Sequence, residues 1–527
     1  METTAPLLHQ TVGELLERSI RAYPDRVAVV HGDRRVTYAE LGTAVRRAGR
    51  ALRALGLERG DRVALLSGDR VELLVAFYAT LWSGLAIVPL NARMAEEDLA
   101  HVVGDSGARV LIHDAQYRER AARIVAGSAV EHLVAAEPGS AVAGGHELAD
   151  LADVQEDGPV ADPASPADLA AVFYTGGTTG RPKGVQHTQA ALVAAFVSEA
   201  LEMGLGEREV FAHAAPLTHA SGMFCVPVWM RGGTNLVLGG FDPQQLLDAI
   251  ERERVTAMLL VPTMLYVILD QPDLAERDLS SLRTVIYGAA PMGRERLLQA
   301  IERFGPIFTQ LYGQTEAPNQ LCVLSRADHA DAVASGDLSI LGSCGRPVTI
   351  ADVRVVDGEG NECPVGVPGE IVARGPHVML GYRNLPEQTA ETLIDGWLHT
   401  GDIAQRDERG FIHIVDRKKD MIISGGFNVY PKEVEQALFQ HPHVRDACVI
   451  GIPDEKWGET VKAVVVADDP SAVTEAELIA WVKERKGAVV APKSVDLVDA
   501  IPLTAVGKHD KPALRKAYWG GRERAVN

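Results

Sequence analysis

The chain reads as an α/β protein of several compact units, and three features of the sequence say so. Short, near-continuously apolar runs alternate with amphipathic helical stretches over most of its length, the pattern of largely parallel sheets covered by helices. Near residue 340 the texture changes to β-rich runs cut by Gly, Pro and Asp clusters, as in "ADVRVVDGEGNECPVGVPGEIVARG", which predicts a small antiparallel unit resembling a barrel. After "DRKKDMIISGG" helix and strand mix again, which predicts a separate small α+β domain at the end. With 527 residues the chain exceeds what one core organises, and about three or four units are expected.

The first clear helix is "VTYAELGTAVRRAGRALRALG". Thr37 and Glu40 form a capping box, Leu41, Val45, Ala48, Leu52 and Leu55 form the apolar stripe, and Gly56 ends it. "DRVALLS" follows as a short strand, and "VELLVAFYATLWSGLAIVPLN" as a helix leading into another strand. "TAMLLVP", "TVIYGAAP" and "IFTQLYGQTE" are each read as an apolar strand ending in a Gly-containing turn, the place where open α/β sheets bind ligands. In the last domain Pro431 suits the first position of a helix, "VRDACVIGI" a strand and "TEAELIAWVKERKG" a helix.

Composition excludes several classes. The formal charge is −19 and acidic and basic residues interleave, so neither nucleic acid nor an anionic membrane is an expected partner. Cys225, Cys322, Cys344, Cys363 and Cys448 are scattered, which argues against a disulfide framework or zinc site and for a reducing, cytoplasmic setting. No segment reaches the ~18 apolar residues of a membrane span, and no export or lipidation signal is read at either end.

The chemistry gathers around "YTGGTTGRPKGV", residues 174–185. A Walker A loop places its lysine directly after the last glycine and a helix directly behind it. Here Arg181 and Pro182 separate Gly180 from Lys183, and the next helix is expected only from about Thr188. The ingredients of an anion cradle are nevertheless present: glycines that open the backbone N–H groups, the hydroxyls of Thr175, Thr178 and Thr179, and the Lys183 ammonium. A solvent-exposed Gly/Thr turn is the plain alternative for the isolated stretch.

This loop resembles the phosphate loop of the adenylate-forming superfamily, which includes acyl-CoA synthetases, the adenylation domains of nonribosomal peptide synthetases and firefly luciferase. Six further motifs of that family follow in its order: "PLTHASGM" (216–223), "YGAAPM" (287–292), "YGQTE" (312–316), "GWLHTGD" (396–402), "DRKKDMIISGGFNVYPKEVE" (416–435) and "PLTAVGK" (502–508). The resemblance implies a large N-terminal adenylation domain, residues 1–417, made of two α/β sheet subdomains and a β-barrel-like one at about 340–415. A small mobile lid, 418–527, completes it.

It also implies the site. Thr175, Gly176, Gly177, Thr178, Thr179, Gly180 and Lys183 would hold the β- and γ-phosphates of ATP. Glu316, helped by Thr175, would bind Mg²⁺, since a hard dication favours carboxylate and hydroxyl oxygens. Gly288, Ala289 and Ala290 would face the adenine edge and Tyr312 its plane, with Gly313, Gln314 and Thr315 beside the phosphates. Asp402 would accept the ribose hydroxyls, with Arg417 and Asn428 close to the nucleotide. Lys508 would meet the forming charge at carboxylate and α-phosphate, Lys511 being a decoy, and Lys419 would be the hinge. Gly425 and Gly426 would let the pantetheine arm of coenzyme A pass close to the backbone, and His219 would gate the acyl site. The acyl pocket itself would use residues 217–224, the strand end at 287–291 and Asn319.

The implied reaction activates a carboxylic acid, fatty or aryl, in two halves. The carboxylate attacks the α-phosphorus and pyrophosphate leaves; the CoA thiol then attacks acyl-AMP. An amino-acid substrate is disfavoured because "PLTHASGM" lacks the aspartate that would hold an α-ammonium. Loading of a carrier protein and a non-enzymatic nucleotide binder on the same fold remain as alternatives, and a homodimer is compatible with the sequence.

Overall fold

The computed structural model describes residues 9–175, 181–290, 292–425, 427–454, 456–503 and 509–519. Two large sheets dominate. In the nine-stranded sheet, Val27–His31, Thr234–Val237, Val210–His213, Ala257–Leu260, Thr284–Gly288 and Phe308–Gln314 run parallel to their neighbours. Arg34–Thr37 at one edge, and Ala317–Leu324 with Arg346–Pro347 at the other, are antiparallel additions. In the eight-stranded sheet, Leu169–Thr175, Ala86–Pro89, Arg62–Leu66, Val110–His113, His132–Ala135 and His146–Glu147 form the parallel body. Lys183–Thr188 and Gly381–Tyr382 close its edge antiparallel.

The expected elements form for the expected reasons. Tyr38–Ala54 is a helix whose Thr37 and Glu40 cap each other reciprocally, a motif worth about 1 kcal/mol. Val71–Trp82 is a helix and Ala86–Pro89 the strand after it. One core takes Val29 and Val237 from the first sheet, Leu65 and Ile87 from the second, and Leu41, Leu52, Leu74 and Phe196 from the helices. The alternation in the sequence is thus two sheets sharing helical cover.

The β-rich stretch folds as a five-stranded sheet in the order Asp352–Val356, Gly369–Arg374, Trp397–Arg406, Leu393–Ile394, with Ile412–Arg417 also on Trp397–Arg406. The last domain holds a second five-stranded sheet, Phe427–Val429, Ile422–Ser424, Gly458–Ala467 and Val444–Asp454, with Ser494–Leu497 parallel to Gly458–Ala467. Helices Pro431–Phe439, with Pro431 in its first turn, and Glu475–Lys486, capped by Thr474, cover it over Val434, Val449, Val461 and Leu478. The chain forms two compact units. One gathers most residues up to Val353 together with Ala373–Leu398; the other gathers Arg354–Val372 and the chain from His399 onward.

Two of the three strands do not end in a Gly-containing turn. Ala257–Leu260 runs straight into a helix opened by Pro262. Phe308–Gln314 turns back as the antiparallel strand Ala317–Leu324 instead of crossing over. Glycine at 313 had suggested the turn, but Gly313 lies within the strand, where a Cβ would meet the Asn319 carbonyl carbon at 2.5 Å.

Candidate active site

The loop singled out in the sequence joins two antiparallel strands. Leu169–Thr175 and Lys183–Thr188 pair antiparallel, with Thr175 opposite Lys183 as the described pair nearest the loop. Gly176, Gly177, Thr178, Thr179 and Gly180 lie outside the described residues. Thr175 and Lys183 flank the loop, both half-buried. The helix comes later, as expected: Thr188 is its N-cap and accepts from the Ala191 N–H at 3.1 Å. Gly184 has a packing reason to be glycine, since a Cβ there would lie 2.8 Å from the Tyr174 ring across the strand.

Glu316 occupies the tip of a second hairpin. Gln314 pairs with Ala317, leaving Thr315 and Glu316 at the turn. A short strand ties the two hairpins together inside the first unit. The Met379 N–H donates to the Glu316 carbonyl at 2.8 Å, Leu380 N–H to the Gln186 carbonyl at 2.8 Å, and Arg383 N–H to the Gly184 carbonyl at 2.7 Å. Tyr382, paired with Val185, donates its hydroxyl to Glu316 Oε1 at 2.6 Å, and the Lys183 ammonium stands 5.4 Å from the centre of the Tyr382 ring. Burial, and then the Glu316 charge, push the Tyr382 phenol well up, which keeps it a proton donor.

Beneath these hairpins lie buried imidazoles. His187 Nε2 is 2.8 Å from the Thr315 carbonyl and His377 Nε2 is 3.0 Å from the Gln320 carbonyl. Burial lowers both to about 4. Each ring is therefore neutral at pH 7 and donates from Nε2 to its carbonyl.

The predicted adenine region is the end of Thr284–Gly288. A Cβ on Gly288 would come within 2.5 Å of the Leu311 carbonyl oxygen, so only glycine lets these strands approach. Ala289 follows in the left-handed region at φ 62°, exposed, and Ala290 is half-buried. Tyr312 is half-buried against Val185 and Ala317, and the Gln314 amide nitrogen is buried without a partner among the described residues.

The segment 216–223 wraps an apolar crevice lined by Leu73, Leu74, Phe77, Tyr78, Leu217 and Gly222. In the chain His219 lies between the last two, at the start of a short helix and 3.0 Å from the Thr218 hydroxyl; although part of the ring reaches the surface, desolvation and then the Arg93 charge lower its imidazole pKa. Asp69, which drew no attention in the sequence, accepts from the Leu217 N–H at 2.9 Å and is raised by burial to about 6. Asn319 gives its amide to Glu199 at 2.6 Å and to the Ala220 carbonyl at 3.2 Å, and its backbone is left-handed at φ 62°. Burial pushes Glu199 well above the carboxylate range. Asn319 thus supports the crevice wall through protein contacts.

In the second unit Asp402 is 3% exposed and faces Arg417 across paired strands, with Arg417 Nε 2.7 Å from Asp402 Oδ1. Thr400 fixes the turn before it, donating to the Ile371 carbonyl at 2.7 Å and accepting from the Asp402 N–H at 3.1 Å. Lys419 lies in a one-turn 3₁₀ helix, Lys418–Asp420, and Asn428 is exposed on the strand Phe427–Val429. Gly425 is left-handed at φ 59°, and a Cβ would stand 2.3 Å from the Trp457 ring. Gly426 and Lys508 lie outside the described residues. On either side of 504–508, Leu503 pairs with His509, and His509 meets Asp446 at 3.0 Å. Lys511 is a structural residue: half-buried, 3.0 Å from Glu435, and held charged against burial by Glu435, Asp416 and Asp420.

Tyr382 thus brings together a lysine and a glutamate that lie on different hairpins and far apart in the chain. The chain belongs to the AMP-binding enzyme family: the family's main domain matches residues 16–383 and its C-terminal domain 433–508. It is 42% identical over 530 residues to the medium/long-chain-fatty-acid–CoA ligase FadD8 of Mycobacterium tuberculosis, covering 98% of this chain and 91% of that one. It is 41% identical over 512 residues to a feruloyl-CoA synthase from an Amycolatopsis species, with 97% and 99% covered. The amide bond synthetase McbA of Marinactinospora thermotolerans has a similar structure, TM-score 0.87 at 33% identity, covering 97% of this chain and all of that one. The protein is an AMP-forming acid–thiol ligase that uses ATP to convert a carboxylic acid to an acyl-adenylate and then transfers the acyl group.

Sequence reasoning missed Tyr382, His187 and Asp69. The signal for His187 was available, because the strand's two-residue period places it on the face of Val185. Tyr382 carried none: "GYRN" is a commonplace lead-in to the helix Pro386–Thr392, and its partners are distant in the chain.

Proposed function

We propose that the chain is an acyl-CoA synthetase for hydrophobic carboxylic acids, medium- or long-chain fatty or aryl, with coenzyme A as thiol acceptor. The substrate class is supported by the two relatives above 40% identity, a medium/long-chain-fatty-acid–CoA ligase and a feruloyl-CoA synthase, and by the aliphatic and aromatic side chains packed against Leu217 and Gly222.

In this reading the loop 175–183 holds the departing pyrophosphate, with Lys183 as its cation. Glu316 would hold Mg²⁺ together with phosphate oxygens, Thr175 assisting. The donor set fits: among the described residues no group of three or more His, Cys, Asp or Glu could hold a metal, and Mg²⁺ characteristically takes one or two carboxylates plus substrate phosphates. Bound there, it would neutralise phosphate charge. Gly288, Ala289, Ala290 and Tyr312 form the adenine end, and Asp402 and Arg417 the ribose end. Lys508 stabilises charge as the substrate carboxylate displaces pyrophosphate from the α-phosphorus. Residues 418–527 then move about Lys419. Gly425 and Gly426 admit the thiol arm, whose sulfur attacks the acyl carbon and expels AMP. His219 positions the acid.

The test is AMP release over a panel of fatty, aryl, dicarboxylic and amino acids, each with coenzyme A, with a phosphopantetheinylated carrier protein, and with no thiol. Turnover with hydrophobic monocarboxylates that requires coenzyme A supports the proposal. Preference for dicarboxylates, or for the carrier protein, refutes it.

A further inference from the structure

The geometry points to Tyr382 as a positioning residue of the adenylation site, one that holds the Glu316 carboxylate through a hydrogen bond and seats the Lys183 ammonium on its ring. This rests on the reading of Glu316 as the metal-binding carboxylate and Lys183 as the phosphate-loop cation. Two groups far apart in sequence must be held near one polyanion, and neither can be held by a countercharge without losing its use.

Tyr382 meets that requirement on both sides. Its hydroxyl donates to Glu316 Oε1 at 2.6 Å, a charge-assisted contact that fixes the carboxylate and leaves its negative charge in place. Its ring lies 5.4 Å from the Lys183 nitrogen, an attraction that leaves the positive charge in place. The backbone is fixed as well. Tyr382 pairs with Val185, two residues beyond Lys183, and Met379 donates its N–H to the Glu316 carbonyl at 2.8 Å. The Tyr382 N–H itself donates to the Thr389 hydroxyl at 2.9 Å, anchoring the short strand to the helix that follows. One residue thus sets the distance between the metal-binding and phosphate-binding side chains.

The test is calorimetric titration of the full chain with ATP at a series of Mg²⁺ concentrations, without carboxylic acid so that no turnover occurs. Tyr382→Phe keeps the ring and removes the hydrogen bond. It is expected to raise the Mg²⁺ concentration for half-maximal ATP binding about tenfold, while metal-free ATP affinity and melting temperature stay near wild type. Glu316→Gln should raise it at least as much, and the double variant no further. Tyr382→Leu removes the ring too and should also weaken metal-free ATP binding about threefold. An unchanged Mg²⁺ requirement in Tyr382→Phe beside a raised one in Glu316→Gln overturns the role of Tyr382 alone. No change in Glu316→Gln overturns the metal reading and this proposal with it.

Discussion

In the first unit, the side chains assigned to phosphate and metal are held by uncharged contacts: Glu316 by a phenol and Lys183 by an aromatic face. In the second unit, charged side chains hold one another. Arg417 pairs with Asp402, Lys511 with Glu435, Arg515 with Asp420, and His509 with Asp446. The difference follows what each unit would bind. A triphosphate and its cation need charges that the protein has not already neutralised, whereas ribose hydroxyls are neutral and can be met by a carboxylate that keeps its arginine.

The sharpest way to break this contrast is through the two lysines near the chain's end. Lys508→Ala is expected to slow acyl-AMP formation by about a thousandfold, as for loss of a cation aimed at developing charge, while thioester formation from supplied acyl-AMP persists. Measuring the two half-reactions separately decides it, and equal loss in both would remove Lys508 from the first. Lys511→Met should act on folding instead. It leaves Glu435 and Asp416 without their buried cation and Asp420 with Arg515 alone, and a loss of about 2 kcal/mol in denaturant titrations is expected. Acyl-AMP formation per folded molecule should change little.

A smaller effect separates the half-reactions from the other side. Gly425→Ala puts a Cβ 2.3 Å from the Trp457 ring at a backbone angle of φ 59°. Thioester formation should fall about tenfold through displacement of that hairpin, with acyl-AMP formation intact. Loss of the first step instead would show that the hairpin serves adenylation.

How much of this was legible beforehand follows from the range of each interaction. The capped helix at Tyr38–Ala54, the helix opened by Pro431 and the delayed helix after Thr188 are local matters of caps and periodicity, and all three form. The sequence also announces the loop and "YGQTE" as places of chemistry. It does not show that both lie between antiparallel strands, because an antiparallel return depends on which strand is already at the sheet's edge. The tie through Tyr382 is less legible still, since it joins residues 183, 316 and 382 by tertiary contact alone. Asp69 and Glu199 look like ordinary surface carboxylates until burial makes them otherwise.

The buried histidines of the first unit have one further consequence, seen in stability and not in rate. His187, His213, His329 and His377 are all lowered by burial to about 4, against about 6.5 in the unfolded chain. Between those values the unfolded chain binds protons that the folded chain refuses, so each imidazole makes stability fall as the pH drops through that window. Glu199 and Asp69 act with the opposite sign: burial raises them, so on acidification the folded chain takes up protons before the unfolded chain does, and through these two groups stability rises as the pH falls. The whole curve therefore mixes the two, and the difference between variants is the cleaner measure. His377→Gln retains a donor for the Gln320 carbonyl and should reduce the dependence of unfolding free energy on pH by about 1.4 kcal/mol per pH unit near pH 5. Denaturant titrations between pH 4 and 7 read this directly. A slope identical to wild type would mean that His377 takes up its proton in the folded protein as readily as in the unfolded chain.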